Sequence, residues 1–326
     1  MDGGPASPSE AGKEWLELTT LVLSHPKCLD HLTPYGHPER PDRLRMVTHV
    51  LEHERFADLA RDEAPIASVE AVARVHPPEF IERIENATPM VNFVHLDADT
   101  TLSPGSYEAA MRAAGGAVFA VDEVMAGKAA NAFVATRPPG HHAETATAMG
   151  FCLFNNAAIA ARHARAVHGV DRVAIIDFDV HHGNGTQEIF WSDPSVMYLS
   201  THEMPLYPGT GAARERGAYD QVVNAPLRPG AGGKEFREAF DLAILPRMRD
   251  FSADLVIISA GFDAHERDPL ANLNLNEADF SWATKEIMAV ADKSAGGRVV
   301  SVLEGGYDLE GLGRSVAAHV LALMRG

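Results

Sequence analysis

The chain has 326 residues, 46% of them hydrophobic, and contains no run of about 18 apolar residues that could cross a membrane. Its formal net charge of −17 argues against nucleic-acid binding, because DNA and RNA are themselves polyanions. The two cysteines cannot build a disulfide framework or a thiolate zinc cluster, and the first residues lack the pattern of a signal peptide. We therefore predict a cytoplasmic protein that binds neither membranes nor nucleic acid.

Six apolar runs alternate with segments of helical pattern along the chain. The runs predict strands within residues 18–25, 131–140, 173–180, 196–202, 254–263 and 298–308. The helical patterns cover residues 103–127, 155–169, 232–251 and 276–297. The runs are continuously apolar, as in strands that are covered on both faces, and strands that alternate with helices are typical of a parallel sheet. We therefore predict an α/β fold with one open, mostly parallel sheet.

Four of these predicted strands end in polar or glycine-rich motifs. The motifs are RPPGHHAE from Arg137, DFDVHHGNG from Asp177, SAGFDAH from Ser259 and LEGGYD from Leu303. Ligands of open α/β sheets bind beyond the carboxyl ends of the strands. The four motifs lie far apart in the sequence, yet we expect them to converge on one site.

The DFDVHHGNG motif indicates either a metal site or a relay of carboxylates and histidine. Alternate side chains of an extended segment share a side, so Asp177, Asp179 and His181 are expected to face the same way. A capped turn would not require these residues, and a second strand end supplies Asp263, so we favour a metal. Two carboxylates and an imidazole suit zinc, iron(II) or manganese, and three protein ligands leave a position for water and substrate. Such an ion turns water into a nucleophile near neutral pH.

Adjacent histidines, His141 and His142, follow the rigid Pro-Pro-Gly turn. We interpret them as general acid–base groups beside the metal. Each needs a partner on its far nitrogen, and Asp177 and Asn184 can supply one charged and one neutral partner. The alternative is that the pair are metal ligands or surface histidines.

Tyr307 follows two glycines at a predicted strand end, where a phenol can donate a hydrogen bond to a developing oxyanion. A tyrosine in such a turn is otherwise often structural, and the neighbouring motifs favour catalysis here. His182 and His202 are interpreted as structural histidines, and Cys152 as a small buried apolar residue.

Taken in order, these motifs resemble zinc-dependent histone deacetylases and bacterial deacetylase-like amidohydrolases over residues 20–325. The shared segments also include HPERPDRL from His37, GFCLFNN from Gly150 and YPGTG from Tyr207. Asn184 and Glu304 resemble the class II branch of that family. The resemblance implies a single arginase-like domain in residues 16–326 with a central eight-stranded parallel sheet, after a disordered tail in residues 1–15. It also implies one catalytic zinc ion per chain and a structural potassium ion.

The resemblance implies a role for each matched residue. The zinc ligands correspond to Asp179, His181 and Asp263. The catalytic residues correspond to His141 and His142, with Asp177 and Asn184 behind them, and Tyr307. The substrate tunnel and its exit correspond to Gly150, Phe151, Tyr207, Leu270 and Arg43. The potassium site corresponds to Asp177, Ser200 and the carbonyls around Asp179 and His181. Tyr207 departs from the phenylalanine that is usual in the tunnel wall, so the polarity of that wall is open.

The implied activity is removal of acetyl or similar acyl groups from acylated lysine-type amines, with His142 as the base. An acetylpolyamine or another small amide is the alternative substrate. Leu270 occupies the position where polyamine-selective relatives can carry a glutamate, and it favours acyl-lysine. A binuclear manganese ureohydrolase would need more aspartates and no Tyr307, and a non-catalytic acyl-lysine binding module would need a broken site. The oligomeric state is left open.

Overall fold

The computed structural model describes residues 19–325. The tail predicted in residues 1–15 lies outside the described residues. Ten strands are present in the described part, namely β1 Thr20–Ser24, β2 Ala60–Glu63, β3 Val94–His95, β4 Thr101–Leu102, β5 Asn131–Val134, β6 Val173–Asp177, β7 Val196–Glu203, β8 Val222–Leu227, β9 Leu255–Ala260 and β10 Val299–Leu303.

Helices surround these strands. Residues 19–325 contain α1 Pro41–Leu51, α2 Val69–Ala73, α3 Pro78–Ala87, α4 Ser106–Met125, α5 Asn156–His168, α6 Asn184–Phe190, α7 Gly233–Ala239, α8 Leu245–Phe251, α9 Glu277–Ser294 and α10 Leu309–Leu323. Short 3₁₀ helices lie at Pro26–Leu29 and Glu54–Phe56. No helix in this part of the chain has both the length and the apolar character needed to span a bilayer.

Eight strands form one parallel sheet in the order β2-β1-β5-β10-β9-β6-β7-β8, and β3 pairs with β4 in a separate antiparallel hairpin. The predicted α/β class and the eight-stranded parallel sheet are therefore confirmed. The four strands that carry the polar motifs, β5, β10, β9 and β6, are consecutive neighbours in the sheet.

The sheet has a hydrophobic core on each face. Along β6 the side chains alternate, so that Ala174 and Ile176 pack into one core and Val173 and Ile175 into the other. All five residues of β6 are buried, which explains why its sequence is apolar without interruption.

The structure differs from the predicted elements in several places. The hairpin of β3 and β4 and five helices, α1, α2, α3, α6 and α10, lie outside the predicted segments. The edge strand β2 reads ARDE and is exposed throughout, so it carries no apolar pattern. Strand β8 at the other edge also lies outside the predicted runs. The helix predicted over residues 232–251 contains a π-helical turn at Phe240–Ile244, just before Pro246, which lacks the N–H that a regular helix needs.

Candidate active site

A cavity of about 230 Å³ opens at the carboxyl ends of the four central strands. Its walls are formed by Asp99, His142, Gly150, Phe151, His181, Leu206, Tyr207, Leu270 and Tyr307. Seven of these residues belong to the site predicted from the sequence. The convergence expected from the parallel topology is therefore present.

Asp179, His181 and Asp263 form a buried cluster beneath the cavity, which we call the cradle. The Nδ1 atom of His181 lies 3.2 Å from Oδ1 of Asp179 and 3.1 Å from Oδ2 of Asp263. Backbone N–H groups orient both carboxylates, because Gly305 donates to Asp179 at 2.9 Å and Val180 donates to Asp263 at 2.9 Å. Groups that follow β6, β9 and β10 therefore hold the cradle in place before any ion binds.

The charge balance of the cradle favours a bound cation. Burial raises the pKa of Asp263, and the nearby charge of Asp179 raises it further. Burial lowers the pKa of His181, but the two carboxylates outweigh burial and raise it to about 10. A proton on His181 therefore offsets only one of the two buried carboxylate charges, whereas a divalent ion in its place would offset both. Two oxygen donors and one nitrogen donor fit a transition metal of the zinc class.

Two glycines leave room for the cradle. A Cβ atom at Gly261 would lie 2.0 Å from a carboxylate oxygen of Asp179. A Cβ atom at Gly305 would lie 2.1 Å from an oxygen of Asp263. Because real Cβ atoms do not approach this closely, any other residue at either position would displace a cradle carboxylate.

His141 and His142 stand side by side, with ring centroids 4.1 Å apart, and each has the partner expected from the sequence. Nδ1 of His141 lies 3.0 Å from Oδ2 of Asp177, and Nδ1 of His142 lies 2.8 Å from Oδ1 of Asn184. The amide nitrogen of Asn184 donates to Glu144 at 2.9 Å, so its oxygen faces His142 and accepts the Nδ1 proton. The Nε2 atom of His142 is then left as an acceptor.

The pKa values of the two imidazoles shift in opposite directions. Burial lowers the pKa of His141, but the carboxylates of Asp179 and Asp177 outweigh burial and hold it well above its ordinary value. Burial also lowers the pKa of His142, and the charges of His141 and His181 lower it further, to well below its ordinary value. His141 is therefore a cation and His142 a neutral base near pH 7.

Tyr307 is held from two sides. Its backbone N–H donates to Asp268 at 2.7 Å, and the guanidinium of Arg43 lies 4.8 Å from its ring centroid. Arg43 is itself buried and donates to the carbonyl of Gly306 at 2.6 Å. Burial raises the pKa of the phenol more than Arg43 lowers it, so the hydroxyl stays protonated and can donate a hydrogen bond.

Aromatic rings and one aliphatic side chain narrow the cavity. Phe151 packs edge-on against Tyr307 at 5.7 Å, and Tyr207 packs edge-on against His142 at 5.1 Å. Phe151 has a φ of 67°, a region that a bulky residue rarely adopts, so the surrounding structure must hold it there. Gly150 is required beside it, because a Cβ there would lie 2.5 Å from the His142 ring.

Ser200 lies beside Asp177, to which it is paired in the register of β6 and β7. Its hydroxyl is within 2.8 Å of Nδ1 of His202, whose other ring nitrogen is 2.9 Å from the carbonyl of Gly211. His182 is likewise bonded at both ring nitrogens, by Thr210 and Gln187. These contacts agree with the structural interpretation of His182 and His202.

Sequence reasoning assigned no role to three buried acids around the site. Glu39 binds Arg137 through two hydrogen bonds, at 2.7 and 2.5 Å, and also binds Arg43. Asp268 accepts the N–H groups of Leu270 and Tyr307, and burial raises its pKa to about 7. Glu304 accepts the N–H groups of Gly140 and His141.

For Glu39, the only sign of a role in the sequence was its position within the HPERPDRL segment. Asp99, which lines the cavity mouth, had no motif to mark it.

The fold closely matches that of a solved crystal structure. The crystal structure of the HDA15 HD domain superimposes with a TM-score of 0.89 and 36% sequence identity, covering 94% of this chain and 88% of that chain. The family model described as "Histone deacetylase domain" matches residues 37–323. The chain belongs to the histone deacetylase family.

Curated relatives from distant organisms share most of the chain. An uncharacterised protein of Synechocystis sp. is 41% identical over 93% of this chain and 99% of its own length. A protein of Archaeoglobus fulgidus named "Probable deacetylase" is 38% identical over 95% of this chain and 87% of its own. The "Histone deacetylase-like amidohydrolase" of Pseudomonas aeruginosa is 41% identical over 83% of this chain and 73% of its own. Family membership supports a hydrolase of the deacetylase or amidohydrolase type.

Proposed function

We propose that the protein is a zinc-dependent amidohydrolase that removes acetyl or similar acyl groups from acylated lysine-type amines. One observation carries the proposal. A neutral imidazole, His142, and a protonated phenol, Tyr307, line the same cavity as the cradle residue His181. Amide hydrolysis needs a base for water and a donor for the carbonyl oxygen, and these two groups are suited to those roles. Residues 16–326 are proposed to form one deacetylase domain.

Asp179, His181 and Asp263 would hold the zinc ion, which when bound supplies Lewis-acid chemistry at the acyl carbonyl and lowers the pKa of water. His142 accepts the proton of the attacking water at Nε2, while its Nδ1–H is held by Asn184. His141 remains an imidazolium against Asp177 and favours the negative charge that develops on the carbonyl oxygen. After accepting a proton, His142 can return it to the departing amine.

Tyr307 donates its hydroxyl proton in a hydrogen bond to the acyl oxygen. Arg43 and Asp268 position the phenol, one beneath its ring and one at its backbone. Phe151 and Tyr207 accommodate an uncharged acyl chain between apolar ring faces. Arg43 is proposed to border the route by which the released acid leaves.

A structural potassium ion is proposed at Asp177, Ser200 and the carbonyls around Asp179 and His181. The donors are all oxygen atoms, and carbonyl oxygens can replace the hydration shell of a potassium ion. This site lies behind the imidazole of His141, because Asp177 serves both groups.

The Asp263→Ala variant tests the metal assignment. We expect it to lose the bound zinc and the deacetylase activity, because only two of three ligands remain. Zinc content per chain is measured together with activity. Asp99→Ala is the matched control, since Asp99 lies at the cavity mouth outside the cradle, and it should keep its zinc. Wild-type zinc content and activity in Asp263→Ala would contradict the assignment.

The substrate class is tested by comparing kcat/KM for an acetyl-lysine peptide and N-acetylputrescine at fixed salt. We expect the peptide to be preferred, because Leu270 offers no charge to a polyamine ammonium. A carboxylate there would contribute up to about 4 kcal/mol at 4 Å and an effective dielectric of about 20. Leu270→Glu should shift the ratio towards the polyamine, and Leu270→Gln should not.

Asp99 also lines the mouth and is the acid most able to substitute for such a glutamate. Asp99→Asn therefore belongs in the same comparison. A clear preference of the wild type for N-acetylputrescine would overturn the acyl-lysine proposal and favour the small-amide alternative. Absence of turnover with every acyl amide, with zinc bound, would favour a binding module.

A further inference from the structure

Asp122, His163 and His168 form a second cluster of ligand-type side chains, far from the cavity in the topology of the sheet. Asp122 lies in the last turn of α4, and His168 is the last residue of α5. These helices lead into β5 and β6, so the cluster lies near the amino ends of the strands. The cavity lies at their carboxyl ends.

The two imidazoles converge on one carboxylate. Oδ1 of Asp122 is 2.7 Å from Nε2 of His163 and 2.6 Å from Nε2 of His168, and the ring centroids are 5.7 Å apart. One ligand atom from each residue lies within 4.8 Å of the others. We propose that these three residues bind a second divalent ion of the zinc class, which joins α4 to α5.

The donor chemistry supports such an ion. One oxygen and two imidazole nitrogens, without sulfur, are a ligand set that zinc, cobalt and nickel accept. The cluster also lies at the carboxyl ends of two helices, where unpaired carbonyls favour positive charge. Asp122 is 39% exposed and His168 22%, so water can fill the remaining coordination positions.

Hydrogen bonding alone is the competing explanation of this geometry. Two Nε2–H groups donating to Asp122 would produce the observed separations. Metal ligands in a tetrahedral zinc site lie roughly 3.3 Å apart, for bonds of about 2.0–2.1 Å. Binding therefore requires the partly exposed carboxylate of Asp122 to withdraw by about 0.6 Å, a movement within reach of a rotamer adjustment.

The observed position of Arg74 fits the hydrogen-bonded cluster without metal, because Arg74 can only donate to Nδ1 of His163. Its Nη1 lies 3.3 Å from Nδ1 of His163, and its Nη2 lies 3.0 Å from Glu70. A neutral imidazole that binds metal through Nε2 carries its proton on Nδ1, which then faces the N–H of Arg74. Arg74 therefore opposes metal binding through both its charge and its hydrogen, and it must turn towards Glu70 when the ion binds.

Zinc analysis tests the proposal on the whole protein. Protein equilibrated with Zn²⁺ and then desalted should carry two zinc ions per chain in the wild type. His163→Gln and Asp122→Asn should each carry one, while deacetylase activity and the far-ultraviolet spectrum stay unchanged. His49→Gln is the matched control, because His49 is 80% exposed and outside both clusters, and it should carry two. Asp263→Ala should carry one, which counts the catalytic ion separately.

Two further measurements test the site through its affinity for zinc and through the stability of the protein. Arg74→Ala should bind the second ion more tightly than the wild type in a chelator competition. Zn²⁺ should raise the unfolding temperature of the wild type more than that of His168→Gln, since an ion that binds only the folded state stabilises it. One zinc per wild-type chain, two zinc ions in His163→Gln, or unchanged affinity in Arg74→Ala would overturn the proposal.

Discussion

His141 and His142 are chemically identical side chains that the fold makes different. His141 faces the carboxylate of Asp177, and His142 faces the amide of Asn184. The carboxylates of Asp179 and Asp177 raise the pKa of His141, whereas burial and the charges of His141 and His181 lower the pKa of His142, so the two pKa values move apart. Groups whose environments separate their pKa values in this way are suited to divide acid and base roles.

At the same scale, we expect Tyr307→Phe to lower kcat by about a hundred-fold or more, the usual effect of removing one oxyanion donor. The fold and the bound zinc should be unchanged, because the phenol hydroxyl holds neither. Steady-state kinetics and zinc content measure the effect. Tyr207→Phe is the matched control, since its ring forms a wall of the cavity, and it should keep most of the activity. Near wild-type turnover in Tyr307→Phe would leave that residue with a structural role alone.

At the scale of the secondary-structure elements, one carboxylate side chain holds the loop between β5 and α5 in place. Glu304, just after β10, accepts the N–H of Gly140 at 2.7 Å and of His141 at 3.1 Å. Each buried N–H left without an acceptor costs about 1–3 kcal/mol. Glu304→Ala should therefore destabilise the fold by an amount of that order and lower kcat more than it raises KM. Urea unfolding and kinetics measure these effects.

Glu304→Gln provides the control for this element, because its amide oxygen can still accept both N–H groups. We expect it to restore most of the stability and of kcat. If Glu304→Ala and Glu304→Gln lose kcat equally, the negative charge matters rather than the hydrogen bonds. That outcome would contradict the positioning role of Glu304.

The sequence allows prediction of elements whose burial is uniform and fails where an element depends on a distant partner. Strand β6 is buried along its whole length, so its apolar run is visible in the chain. Strand β2 is exposed, and its place in the sheet follows from pairing with β1, which no local pattern records. The ion pair of Glu39 and Arg137 joins positions 98 residues apart, so its partners could not be matched from the chain alone.

At the scale of the whole molecule, the parallel sheet separates two kinds of chemistry. Four adjacent strands bring the proposed catalytic groups to their carboxyl ends. Helices α4 and α5 run back to the amino ends of the strands, and Asp122, His163 and His168 meet there. An ion bound at that end of the sheet would stabilise the folded protein without contacting the substrate.

The stability of the whole fold depends on pH through buried histidines. His319 is fully buried between the hydroxyls of Thr284 and Ser301, with the rings of Phe133 and Phe262 around it. Thr284 donates to the carbonyl of Phe280, so its oxygen accepts the Nδ1 proton of a neutral imidazole. Burial lowers the pKa of His319 to about 3.

We therefore expect acid to destabilise the protein partly through His319. Its pKa is lower in the folded chain than in the unfolded chain, about 6.5, so between these values the unfolded state binds the proton and the folded state does not. The contribution of neutral His319 to the free energy of unfolding is fully present above pH 6.5. It falls as the pH decreases, by up to about 1.4 kcal/mol per pH unit. Urea unfolding of His319→Gln between pH 7.5 and 5 should show a shallower pH dependence than the wild type, by an amount approaching that slope. The exposed His49→Gln should keep the wild-type slope. Equal slopes in His319→Gln and the wild type would contradict the prediction, because they would show that the pKa of His319 is the same in the folded and unfolded chains.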